Sequence, residues 1–121
     1  MKNICYLMLL TIFLAACKKV NSTAGVTLSL TNNSKENFKS LTVNIRGQIF
    51  EFNNLAPSKT ETISVKDTYR YFYAKVVTAT DEIVAQPIDF VGEQLIKSGK
   101  VDVNLEIKTI NGTRYLDIIA Q

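Results

Sequence analysis

The chain has no histidine and no tryptophan, and only two cysteines and two prolines in 121 residues. Without histidine it lacks the commonest general base at neutral pH and the commonest metal ligand. Both cysteines, Cys5 and Cys17, lie in the N-terminal stretch. The long remainder therefore has no thiol nucleophile, no cysteine metal site and no internal disulfide. Packing and hydrogen bonds alone must hold it. Neither a Gly-x-Ser-x-Gly elbow nor a glycine-rich phosphate loop occurs, and no Asp-x-Asp-x-Asp-Gly calcium loop is present. A formal charge of +3 without a basic cluster argues against nucleic acid. These absences lead us to expect a non-enzyme with no catalytic residue, no metal and no cofactor. The length is that of one domain, and 46% hydrophobic against 21% charged residues is a globular composition.

Hydrophobicity is unevenly spread. After the charged start Met1-Lys2-Asn3, residues Ile4–Ala16 are almost wholly apolar, and Lys18-Lys19 ends the run. Thirteen residues are too few for a spanning helix, which needs about 20, and fit the core of a secretory signal. The stretch closes on Leu14-Ala15-Ala16-Cys17, which resembles the lipobox of bacterial lipoproteins. The resemblance implies that a signal peptidase reads Leu14, Ala15 and Ala16 and cuts before Cys17. It also implies that the Cys17 sulfur carries a diacylglyceryl group. The expected organisation is a signal peptide over 1–16, a lipidated cysteine and tether over 17–24, and one folded domain over 25–121. The partners this implies are membrane lipid through Cys17 and a further envelope protein or glycan. The tether Lys18–Ala24 is polar and reaches about 25 Å when extended. With no acidic run after Cys17, the expected address is the periplasmic side of the outer membrane.

From Gly25 onward the period is two. Val26, Leu28 and Leu30 alternate with polar residues, and so do Leu41, Val43 and Ile45. Phe50 and Phe52 share a face, as do Ile63 and Val65, and Val101, Val103, Leu105 and Ile107 alternate cleanly. Asn32–Asn37 is a polar turn cluster, Gly47 permits a tight turn, and Asn111-Gly112 is a two-residue hairpin signal. Asn53–Ser58 reads as a loop around Pro57. The longest strand is predicted over Tyr69–Thr80, after a turn at Asp67-Thr68, and a short strand over Ile83–Gln86 ends at Pro87. No convincing helical period appears. Seven to eight short strands at this spacing predict an all-β, antiparallel sandwich. The Asn54-Leu55-Ala56-Pro57 loop and the entry Asp67-Thr68-Tyr69-Arg70-Tyr71-Phe72-Tyr73 resemble those of immunoglobulin-like and fibronectin-III-like domains, where an aromatic near a late strand forms the tyrosine corner. Similar strand patterns occur in transthyretin-like domains. Such folds carry no particular activity with them.

Alternation along the predicted long strand puts Phe72, Ala74 and Val76 inward. Tyr69, Tyr71, Tyr73 and Lys75 fall on the outer face. Exposed tyrosines suit glycan or protein contacts, and equally they shield a sheet. The acids Asp81, Glu82, Asp89 and Glu93 read as solvated loop charges. Asn21, Asn32 and Asn111 head glycosylation-type triplets that read as turn chemistry. The expected function is a non-catalytic binding or accessory module anchored in the cell envelope. The alternatives are an inhibitor or immunity protein that inserts Asn53–Lys59 or Pro87–Lys97 into a hydrolase, and a glycan-binding module using Tyr69, Tyr71 and Tyr73.

Overall fold

A computed structural model describes residues 25–88 and 92–121. The signal stretch, Leu14-Ala15-Ala16-Cys17 and the tether lie outside them. Among the described residues there is no helix. The strands are β1 (Val26–Asn32), β2 (Phe38–Ile45), β3 (Gln48–Leu55), β4 (Thr60–Val65), β5 (Tyr73–Val77), β6 (Glu82–Ala85), β7 (Gly99–Ile110) and β8 (Thr113–Ala120). They form two four-stranded sheets, ordered β4-β1-β7-β8 and β3-β2-β5-β6. Period-two patterning buries one face of each. Leu28 and Leu30 of β1 and Val103 and Leu105 of β7 meet Phe38, Leu41 and Val43 of β2 and Ala74 and Val76 of β5 in a single apolar core.

The expectation of an antiparallel fold is corrected at one pairing. β1 and β7 run parallel, with Val26 beside Gly99 and Leu30 beside Val103. The cause is parity. Each connection hands the chain over at the end where the preceding strand stops, so odd strands run one way and even strands the other. β1 and β7 are both odd, and any such pair placed side by side must be parallel. All other pairings join odd to even and are antiparallel.

This parity divides the molecule into two poles. At the lower pole lie Gly25, the β2–β3 hairpin, the β4–β5 and β6–β7 connections and the end of β8. At the upper pole lie the β1–β2, β3–β4 and β5–β6 turns and the β7–β8 hairpin. Both two-residue hairpins are of the left-handed kind that matches strand twist. Asn111 and Gly112 have φ 50° and 78°, and Arg46 and Gly47 have φ 51° and 93°. Asn53-Asn54-Leu55, expected in a loop, instead completes β3. Asn54 enters the left-handed region (φ 58°), and this shift turns Leu55 inward onto the core. The β3–β4 turn is then only Ala56–Lys59, closed by the Lys59 N–H on the Ala56 carbonyl at 3.1 Å. Pro57 and the positive φ of Ser58 (68°) give it the form of a type II turn.

The upper pole is tied together by Asn32, which has no exposed surface. Its amide donates to the carbonyls of Glu36 (2.8 Å) and Leu55 (2.9 Å), and its Oδ1 accepts from the Ser34 N–H and hydroxyl. Its backbone N–H donates to Lys59 O, and its carbonyl accepts from the Ser58 N–H. Both turns of that pole are thereby fixed to the end of β1. Removing the amide leaves the Glu36 and Leu55 carbonyls without this donor, at about 1–3 kcal/mol each for a buried group. Asn32→Ala is therefore expected to lower stability by about 3 kcal/mol, or roughly 15 °C in midpoint for a domain of this size. Asn33→Ala, at the exposed neighbour, should stay within about 0.5 kcal/mol of the parent. Urea unfolding of both variants checks this, and similar midpoints for the two would refute the role given to Asn32.

Candidate functional site

The lower pole carries two adjoining concavities. Its shape follows from the crossing between sheets. β4 lies at the edge of one sheet, and β5 lies third across the other. Sheets stack about 10 Å apart and strands about 4.8 Å apart, so the chain must cover about 14 Å diagonally before β5 begins. The two residues Asp67-Thr68 cannot do this, and Lys66–Phe72 makes the crossing instead. The predicted strand Tyr69–Thr80 is accordingly corrected to Tyr73–Val77. Thr68, fully buried, exchanges two backbone hydrogen bonds with Ile96 of the β6–β7 connection (2.9 and 2.8 Å), and Phe72 closes the core beneath them.

The tyrosines are therefore not a ladder on an outer sheet face. Tyr69 and Tyr71 lie in the crossing and only Tyr73 lies in a strand. The crossing brings all three to one cleft of about 380 Å³. Its opposite wall is Asn44, Arg46 and Gly47 of the β2–β3 hairpin, and Gln86 and Pro87 close one side. Tyr71 is 46% exposed, whereas Tyr69 and Tyr73 are half-buried. A second concavity of about 410 Å³ adjoins the first. It shares Tyr71, Gln86 and Pro87 and continues over Ile88, Leu116 and Ile118 at the seam between β6 and β8.

Arg46 is the cation of the cleft. It occupies a left-handed backbone position that costs a non-glycine residue about 1–2 kcal/mol. Its Nε lies 2.7 Å from Asp67 Oδ1, and its guanidinium sits 5.4 Å from the Tyr69 ring centre. The Asn44 Oδ1 accepts the Gly47 N–H at 2.9 Å, which shapes the hairpin. The lining thus offers rings, side-chain amides and a guanidinium. Such a set can stack on a ligand and hydrogen-bond it. Among the described residues no group of three or more acidic or sulfur ligands is placed to hold a metal ion. Sequence reasoning missed Arg46, Gln86 and the hairpin wall, because nothing in the chain marks them as neighbours of Tyr71.

The upper pole has the other charge cluster. Arg114 of β8 reaches Glu36 Oε2 at 2.8 Å and Asp81 Oδ2 at 2.9 Å. Both carboxylates engage the one guanidinium, so this cluster is a clasp between loops of both sheets and not an anion site. Asp81, expected to be a solvated loop charge, is organised further by the Thr78 hydroxyl at 2.6 Å. Hydrogen bonds from Arg114 and then Thr78 hold its carboxyl below the ordinary value, and its two carboxylate neighbours hold Arg114 firmly cationic. Glu82 is exposed and Glu93 half-buried, while Asp89 lies outside the described residues. The Ala56–Lys59 turn is exposed at Pro57–Lys59 and bound to Asn32 at both Ser58 and Lys59. Of Pro87–Lys97, Ile88 projects and Ile96 is bridged to Thr68.

Two measurements follow from these charges. A carboxyl with a depressed folded-state pKa adds stability above its ordinary value of 3.8 and loses it as pH falls through the lower folded value. The parent should thus exceed Asp81→Asn in stability at neutral pH, and the gap should close in that acid range. A gap that did not narrow at all as the pH fell below 3.8 would remove the electrostatic explanation. Arg46→Asn trades left-handed strain against one partly exposed ion pair, and should leave stability within about 1 kcal/mol of the parent. Thermal unfolding checks this, and a larger loss would show that Arg46 is chiefly structural.

No protein-family model and no curated protein matches the chain. Among solved structures the chain is similar to the NMR structure of a protein from Eubacterium rectale. The TM-score is 0.59 at 16% identity, over 84% of this chain and 94% of that one. At that identity the likeness is one of fold alone: an all-β arrangement of two sheets.

Proposed function

We propose that the protein is a lipid-anchored, non-catalytic binding module of a bacterial cell envelope, and that the tyrosine cleft is its ligand surface. The observation that carries the reading is the convergence of Tyr69, Tyr71, Tyr73 and Arg46 on one cleft whose lining contains no carboxylate or thiol. Support for the anchor comes from Leu14-Ala15-Ala16-Cys17 and the short apolar run before it. Anchoring lets a weak contact suffice, because a short tether gives an effective concentration in the millimolar range. The immunoglobulin-like strand pattern belongs to this proposal as its architectural part and adds no activity.

The ligand class the cleft favours is a glycan. Aromatic faces stack on the apolar faces of sugar rings, while Asn44, Gln86 and the Tyr71 and Tyr73 hydroxyls offer hydrogen bonds. An inserted-loop inhibitor has less support, because Ala56–Lys59 is short and bound down.

Three results test the proposal. Mass spectrometry of the purified N-terminus is expected to find Cys17 lipidated and residues 1–16 removed. An unmodified chain starting at Met1 would defeat the anchor. Retention on a panel of envelope glycans should fall at least about tenfold in Tyr71→Ala/Tyr73→Ala, equal to about 1.4 kcal/mol of lost contact. Unchanged retention by this variant, with its fold intact, would defeat the glycan reading. Pull-down from solubilised envelopes that recovered one soluble hydrolase would favour the inhibitor instead.

A further inference from the structure

The proposed anchor constrains which part of the domain faces the membrane. β1 starts at the lower pole, where Gly25 is fixed against β4. A Cβ there would come within 2.5 Å of the Val65 carbonyl oxygen, so the chain leaves the domain at a defined point. The seven residues Lys18–Ala24 span at most about 25 Å from that point to Cys17. Val26 lies level with Gly99, and β7 rises through twelve residues at about 3.3 Å each. The Asn111-Gly112 tip therefore stands about 40 Å above the exit point. With the long axis normal to the bilayer, a taut tether is about 15 Å too short to bring that tip down to the bilayer that holds Cys17.

The lower pole, nearest the exit point, carries the most exposed large apolar side chain of the described residues. Ile88 is 93% exposed directly after Pro87, and Tyr71 stands beside it across the same groove. Ile49, 65% exposed, follows the hairpin on the second sheet's edge. Toward that pole the outer face of the first sheet presents Thr27, Ser29, Thr62, Ser64 and Asp102, and its exposed isoleucine, Ile110, lies at the far tip. A bare isoleucine next to a tyrosine is the composition of a shallow interfacial contact, with the aliphatic group below the headgroups and the phenol among them. Charge agrees on one side of this pole. The β2–β3 hairpin and the crossing carry Arg46, Lys66 and Arg70 against Asp67, which Arg46 already neutralises. The β6–β7 connection carries Asp89 and Glu93 against Lys97, so the basic side is that of Lys66 and Arg70.

We infer that the lower pole is a membrane-docking surface, with Ile88 entering the headgroup boundary of the bilayer that holds Cys17 and with Lys66 and Arg70 on anionic headgroups. This rests on the lipid-anchor reading. Docking fixes the domain upright, opens the tyrosine cleft at headgroup level and projects the β7–β8 hairpin away from the membrane.

The folded part has no cysteine, so a single reporter can be placed cleanly. Ile88→Cys and Asn111→Cys are each labelled with an environment-sensitive fluorophore on the full lipidated protein. Each is reconstituted into phosphatidylethanolamine–phosphatidylglycerol vesicles that contain nitroxide-bearing lipids. The label at 88 is expected to shift to the blue and be quenched as for a depth of about 5–10 Å, while the label at 111 stays unquenched. Lys66→Glu with Arg70→Glu should reduce the quenching at 88, and replacing phosphatidylglycerol by phosphatidylcholine should do the same. If Cys17 is lipidated and the label at 88 remains in water, docking is wrong while anchoring stands. Quenching at 111 instead of 88 overturns the orientation. A blue shift at 88 that appears only with an added envelope extract, without lipid quenching, assigns the pole to a protein partner and refutes the inference. A chain without lipid on Cys17 removes the anchor and the docking together.

Discussion

The side chain of Asn32 is the constraint from which the rest of the upper pole follows. A buried primary amide must satisfy two donors and one acceptor, and here every one is used. Meeting that demand folds residues 33–37 into a tight loop. The loop presents Glu36 at the height of β8, where Arg114 receives it together with Asp81. A polar requirement inside one sheet is thereby passed through two turns to a charged clasp that joins the far edges of both. β6 and β8 are held at their upper ends, and no covalent crosslink is needed in a folded region that has no thiols.

The seam below that clasp has no counterpart. β6 is only four residues long and stops at Ala85, whereas β8 continues to Ala120. Leu116 and Ile118 of β8 therefore face a groove whose other wall is Pro87 and Ile88 rather than paired strand. Lys108 and Asp117 pair at 2.7 Å across β7 and β8 and keep the polar side of β8 outward. A short β6 thus produces the concavity that a longer strand would have filled. Cleft and groove arise from strand-length mismatch on one side and from the diagonal crossing on the other.

Much of the fold was legible in residue alternation. Val26-Leu28-Leu30, Leu41-Val43-Ile45 and Val101-Val103-Leu105 each fix a strand and its buried face, and Asn111-Gly112 fixes a hairpin. Parallel pairing of β1 with β7 was not legible, because alternation is blind to which strands become neighbours. The tyrosine run was misread for a related reason. From Phe72 to Val76 the run alternates, and Phe72 does point inward, but Arg70 on the same parity is exposed, and so short an alternation cannot tell the start of a strand from the end of an extended crossing. Only the distance between β4 and β5 separates the two, and that distance is a property of the whole topology. The site was half legible: its rings are adjacent in sequence, while Arg46 and Gln86 come from two other connections.

The division of labour between the poles has a physical logic. Groups that are fully paired with one another have little left to offer a ligand, and at the upper pole Asn32, Glu36, Asp81 and Arg114 are consumed in mutual contacts. The lower pole keeps rings and an exposed isoleucine at the surface, beside an Arg46 guanidinium whose Nε is paired with Asp67, and it accepts left-handed strain at Arg46 in doing so. Replacing Arg46 by a residue that favours such a turn would relieve this strain locally. On the proposed reading its place beside Tyr69 serves recognition, because a cation held over a ring is oriented before any ligand arrives. Stability is concentrated where the chain has been cross-tied, and the concavities lie where the sheets fail to match.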